Sequence, residues 1–125
     1  MSDVQRVFIT GGASGLGRAL ALQYARAGWA VAIADVHDGR GAETLKELSE
    51  LAKQAGTATR FVPRYFHADV TCEAELQVIA DALEADWQGI DVLYNNAGVA
   101  QAGAIEDVSL SDWEWIVNIN LLGVV

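Results

Sequence analysis

Apolar runs of strand length alternate with helix-period segments from the first residues to the last, the pattern of repeated βα units around a parallel sheet. Val4 to Thr10 reads as the first strand. Gly-rich sequence follows, then a helix with Leu16, Ala19, Leu20 and Ala27 on one face, which Gly28 stops. Ala30 to Ala34 is apolar without alternation, as expected of a central strand covered on both faces, and Asp35 closes it. A second helix, Gly41 to Ala55, turns Leu45, Leu48 and Ala52 inward and leaves Glu43, Lys46, Glu47 and Glu50 in solvent; Gly56 ends it. After Pro63, Tyr65 to Ala68 is a third strand. Thr71 is placed to cap a third helix with the stripe Leu76, Ile79, Ala80, Leu83 and Trp87, and Glu73 and Glu75 suit its positive N-terminal end. Ile90 to Asn95 is a fourth strand. Ser111 with Glu114 forms a capping box for a last helix, still running at Val125.

The chain has 125 residues, 52% of them apolar, which suits one α/β domain with a doubly wound parallel sheet. Seventeen acidic residues oppose eight basic ones, giving a formal charge of -9 without a Lys/Arg cluster. That balance argues against nucleic acid and anionic membrane as partners. The N-terminal apolar run Val7 to Ile9 is too short for a signal segment or a span of about 20 residues, so a cytoplasmic protein is expected. Cys72 is the single cysteine. It can form no internal disulfide and lacks the Cys/His spacing of a zinc site, so it reads as a structural residue and no metal is expected.

Thr10-Gly11-Gly12-Ala13-Ser14-Gly15-Leu16-Gly17 joins the first strand to the first helix, where a dinucleotide pyrophosphate would meet free backbone N–H groups and the helix dipole. The spacing is T-G-x-x-x-G-x-G and not the strict G-x-G-x-x-G. A glycine turn that merely connects the two elements is the alternative. Asp35 lies 24 residues after Gly11, near the spacing at which an acid meets the adenosine ribose. Its carboxylate would accept from ribose hydroxyls and repel a 2′-phosphate of about -1.5 to -2 charge, which favours NAD over NADP. Arg18 and Arg40 keep NADP open, and an ordinary exposed strand-end aspartate is the other reading. Asp69-Val70 and Asn95-Asn96-Ala97-Gly98 follow the third and fourth strands, at the same carboxyl edge as the glycine turn.

Together, TGGASGLG, the Asp35 strand end, DVT, IDVLYNNAG and WEWIVNINLLGVV resemble the short-chain dehydrogenase/reductases along essentially the whole chain. That resemblance implies a Rossmann-type sheet of order 3-2-1-4, the N-terminal part of the family's longer sheet, ending in a truncated helix. It implies that residues 1–125 are one NAD-binding domain, incomplete at its C-terminus. Gly11, Ser14, Gly15, Leu16 and Gly17 would cradle the cofactor, Asp35 would bind the ribose, and Asp69 with Val70 would hold the adenine. Asn96, Ala97 and Gly98 would line the cofactor, while Asn95 ties the sheet together. Asn120, chosen over Asn118 by the N-L-x-G-V spacing after it, would organise a water in a proton relay.

The family's catalytic serine and Tyr-x-x-x-Lys pair lie beyond this asparagine. None of Tyr24, Tyr65 and Tyr94 has a lysine four residues on; those positions are Gly28, Asp69 and Gly98. The resemblance therefore implies an NAD-dependent oxidoreductase acting on an alcohol or carbonyl substrate as a homodimer or homotetramer, with residues 1–125 inactive by themselves. A non-catalytic dinucleotide-binding or scaffold protein of the same fold is the alternative. Substrate identity is not written in these residues.

Overall fold

Alternate residues of the two central strands bury against opposite layers of helix, as a strand period of two requires. The structure, a computed structural model, describes residues 3–100 and 103–125. β1 (Arg6–Thr10), β2 (Ala30–Asp35), β3 (Arg64–His67) and β4 (Val92–Tyr94) form one parallel sheet of order β3-β2-β1-β4. Val7, Ile9, Val31 and Ile33 pack on one face against Ala21, Leu22 and Ala25 of α1 (Gly15–Arg26) and Leu48 of α2 (Asp38–Ala55). On the other face Phe8, Ala30, Ala32 and Ala34 meet Ile79, Leu83 and Trp87 of α3 (Glu73–Trp87), together with Phe61. Small alanines on β2 make room for Trp87 and Phe61, whose rings meet edge to face at 6.0 Å. The doubly wound α/β sheet and its strand order are as the sequence implies.

Four local expectations are corrected. The sheet-facing side of α1 is Gly17, Ala21, Leu22 and Ala25, with Leu20 packed at its margin; Leu16, Ala19 and Ala27 face solvent, Leu16 at 68% exposure. Gly17, Ala21 and Ala25 stand four apart, so the smallest side chains form the contact and the helix comes close to the sheet. Thr71 does not cap α3: its N–H and hydroxyl both donate to Asp69 Oδ1, at 2.9 and 2.7 Å, and Cys72 occupies the cap position without a side-chain bond. The cap of α4 (Leu110–Asn120) is Ser109, not Ser111, because the Ser109 hydroxyl accepts the Asp112 N–H at 3.1 Å. That helix ends at Asn120, and a tighter 3-10 turn spans Leu122–Val124, so it does not run to Val125.

Gly28 and Gly56 follow α1 and α2 with φ of 88° and 78°, the left-handed geometry that ends a helix at low cost in glycine. Arg6 closes the opposite end of the sheet. Its guanidinium reaches both Asp91 oxygens, at 3.0 and 3.1 Å, and the Trp87 carbonyl at 2.6 Å. The Arg6 side chain first, and its backbone N–H second, hold the Asp91 carboxyl below the usual carboxylate range. A depressed carboxyl pKa stabilises the fold fully above the unfolded value of about 4, and the benefit is lost as pH falls through the folded value. The Asp91→Asn variant is therefore expected to be less stable than the parent at pH 7 and to lose less on acidification from pH 5 to 3. Urea denaturation across that range checks it; parallel pH profiles would show that the pair carries no linkage.

Candidate functional site

The carboxyl ends of β1 and β4 are laced together around the glycine turn. Thr10 is buried, and its hydroxyl accepts the N–H groups of Asn96 and Ala97, each at 3.1 Å, while donating to the Tyr94 carbonyl at 3.3 Å. The Asn96 amide donates to the carbonyls of Thr10 and Gly11 at 3.1 and 3.2 Å. Gly11, at φ +66°, lies so close that a Cβ would stand 3.0 Å from Ala97 Cα. At Gly17 a Cβ would overlap the Gly11 carbonyl oxygen and come within 2.5 Å of Asn96 Nδ2. Asn96, not Asn95, thus ties the sheet. Asn95 is exposed and lines a separate apolar cleft with Ile79, Leu93 and Val124, because β4 ends at Tyr94 and strand alternation no longer fixes the two asparagines.

Asp35 is only 9% exposed, unlike an ordinary strand-end aspartate. One carboxylate oxygen accepts the Ala13 N–H and the other the His37 N–H, both at 3.1 Å, so Asp35 fastens the glycine turn to the β2–α2 turn. Asp69 follows β3, and its bonds from Thr71, backbone first, hold its carboxyl below the ordinary range. Val70 packs against Gly123, where a Cβ would come within 2.7 Å of it.

Of the residues expected at the site, Gly11, Asp35, Asp69, Val70, Ala97 and Gly98 line one groove of about 350 Å³. Gly17 and Asn96 form the packing that shapes it. Ser14, Gly15 and Leu16 begin α1 beside it; Ser14 makes no capping bond, the first turn carries no acidic residue, and a Cβ on Gly15 would meet nothing within 4 Å. Backbone N–H groups of that turn are left for an anion. Asn120 is spent on backbone: its amide nitrogen donates to the Val99 carbonyl at 2.8 Å and its oxygen accepts the Val99 N–H at 2.9 Å. Arg18 is held by both Glu47 oxygens, at 2.5 and 2.6 Å. Sequence reasoning missed Thr10, Val36, His37, Val99 and two α4 residues, Trp115 and Ile119, all but Thr10 on the groove wall. Trp115 and Ile119 stand four apart, a helical-face signal that was present in the sequence but pointed to no ligand by itself.

A model of the short chain dehydrogenase family matches residues 5–125. The chain belongs to that family. D-threitol dehydrogenase of Mycolicibacterium smegmatis is 40% identical over 121 residues, which cover 97% of this chain and 44% of that protein. Sulfoacetaldehyde reductase 2 of Chromohalobacter salexigens is 37% identical over 127 residues, covering 100% and 46%. Among solved structures, a short chain dehydrogenase/reductase from Burkholderia phymatum in complex with NAD superposes with a TM-score of 0.85 at 34% identity, covering 98% of this chain and 41% of that one. The chain thus spans less than half the length of each of these three proteins.

Proposed function

We propose that the chain binds NAD for an oxidoreductase that moves hydride between a secondary alcohol or ketone and nicotinamide. The observation that carries this reading is the convergence of an uncapped α1 N-terminus, a glycine turn packed against Asn96, and Asp35 along one groove. A Cβ at Gly11 or Gly17 would disrupt that packing, whereas the space at Gly15 is open for a pyrophosphate to approach. Bound NAD would supply the ring that accepts or donates hydride.

In this reading the α1 turn from Ser14 to Gly17 receives the pyrophosphate, Asp35 meets the ribose hydroxyls, and Asp69 with Val70 borders the adenine. Trp115 and Ile119 complete the adenine wall. Asn96, Ala97 and Gly98 border the cofactor on the β4 side. Both ends of the Asn120 amide hold Val99 in place, which makes Asn120 a positioning residue; its second amide hydrogen is left to orient a water of a proton relay. Proton exchange with substrate requires a further acid/base group. Residues 1–125 offer no tyrosine with a lysine four positions on, so binding without turnover is expected of them alone.

NAD is favoured over NADP in this reading because the carboxylate assigned to the ribose, Asp35, would repel a 2′-phosphate, and Arg18 is engaged by Glu47. Among the described residues no helix is long and apolar enough to cross a membrane. Titration calorimetry with both nucleotides tests the assignment: NAD is expected to bind at least about tenfold more tightly, or 1.4 kcal/mol. Trp115→Ala is expected to weaken NAD by about tenfold through lost stacking. Equal or tighter NADP binding would overturn the cofactor assignment, and failure of NAD to bind at all would overturn the function.

A further inference from the structure

Val70 sits in a turn held at several points. Asp69 Oδ1 accepts both the N–H and the hydroxyl of Thr71, at 2.9 and 2.7 Å, and so clasps the chain on either side of Val70. The Cys72 N–H donates to the Asp69 carbonyl at 2.9 Å and the Asp69 N–H to Glu75 Oε2 at 3.0 Å, which ties the same turn to the start of α3. Val70 is also β-branched, with few side-chain conformations open to it. It forms part of the groove wall together with Ala68 and Asp69. Behind it stands Gly123, which is not one of the groove residues and instead borders the apolar cleft next to β4.

Gly123 belongs to the 3-10 turn Leu122–Val124 that follows α4. Unlike Gly28 and Gly56 it does not have a positive φ, so backbone conformation places no demand for glycine here. Space does. A Cβ at this position would stand 2.7 Å from Val70 Cγ2 and 3.2 Å from Val70 Cβ, with the Asn118 carbonyl oxygen of α4 only 3.3 Å away. The turn is also restrained from withdrawing, because the Asn120 amide just before it is bonded to both the N–H and the carbonyl of Val99. We propose that Gly123 is a positioning residue for the nucleotide: having no side chain, it lets Val70 lie back from the groove, and a larger residue there pushes Val70 toward the adenine. The inference rests on the dinucleotide reading above, which borders the adenine with Val70.

Gly123→Ala is expected to stay folded, because the position is only partly buried and its severe clash is with a single side chain, and to weaken NAD by about tenfold. AMP, which carries the adenine but no nicotinamide, is expected to weaken by the same factor. Val70→Ala alone gives up part of the adenine wall and is expected to weaken both ligands about threefold. In the Gly123→Ala/Val70→Ala double variant the clash is gone, so the loss is expected to remain about threefold and not the roughly thirtyfold that independent effects would give. Calorimetric titration of the four proteins with NAD and with AMP, alongside thermal denaturation, completes the cycle. Losses that simply multiply, a folded Gly123→Ala protein with the parent's affinity, or AMP unchanged while NAD weakens each overturn the role of Gly123. Should the single variant unfold, the double variant decides: a folded protein with the Val70→Ala affinities supports the contact, and an unfolded one overturns it. Failure of the parent to bind either nucleotide overturns the dinucleotide reading and this inference with it, whereas a parent that binds both, with a multiplicative cycle, overturns this inference alone.

Discussion

Gly17→Ala is expected to cost the fold about 3 kcal/mol and to remove dinucleotide binding with it. On helix propensity alone the change should help, by roughly 0.8–1 kcal/mol for a helical position. Packing decides the other way. The added methyl would overlap the Gly11 carbonyl oxygen and press on Asn96 Nδ2, the atom that donates to both Thr10 and Gly11. Relief requires either moving α1 off the turn or expelling the Asn96 amide, which surrenders two hydrogen bonds of about 1 kcal/mol each on top of the overpacking. Gly15→Ala is the contrasting variant. Its Cβ meets open space, and its φ of +54° carries a left-handed penalty of about 1–2 kcal/mol, so the protein should remain folded while the approach of a pyrophosphate is obstructed. Urea denaturation of both variants separates the cases. A Gly17→Ala protein as stable as its parent would show that the interlocked turn tolerates movement and that the site is less constrained than its geometry says.

β2 could be read from Ala30 to Asp35 because every residue in it is buried, and a strand covered on both faces reads as an unbroken apolar run. The face of α1 was misplaced because apolar periodicity gives weight to Leu16, whereas the contact is made by Gly17, Ala21 and Ala25, residues selected for smallness. At α4, Ser109 with Asp112 and Ser111 with Glu114 satisfy the same capping signature. No residue of that helix is buried in this chain, so no core contact distinguished the two starts. The asparagine pair raised a question of parity: one residue of offset sends a side chain to the opposite side of a sheet, and the strand stops just before the pair. Motif order placed the groove correctly along the strand ends, because parallel βα units put every such loop at one edge. The Ala13 partner of Asp35 and the Val99 partner of Asn120 lie 22 and 21 positions away and depend on loop geometry that no local pattern encodes.

Asp35→Ala is expected to lose about 2–3 kcal/mol of stability as well as NAD affinity, a larger effect than the removal of a ribose contact would give. The Ala13 N–H is in a buried setting, and the Asp35 carboxylate is its acceptor; the His37 N–H loses its acceptor in the same step. A hydrogen bond to an ionised group contributes roughly 1.5–3 kcal/mol, and a buried donor left without an acceptor bears its desolvation cost in full. Asparagine is no conservative replacement here. Both N–H groups need an acceptor, and an amide offers one oxygen and one NH2, so one donor would be set against another. Asp35→Asn should therefore fall between the parent and Asp35→Ala in denaturation midpoint, with NAD weakened in both. This coupling also bears on how cofactor preference is measured. Asp35 variants alter the glycine turn and the ribose contact together, so their nucleotide affinities mix loop integrity with charge. Denaturation and NAD titration on the same Asp35→Ala sample decide the matter. Weakened NAD binding at unchanged stability would mean that the two backbone contacts contribute nothing and that Asp35 acts only on the ribose.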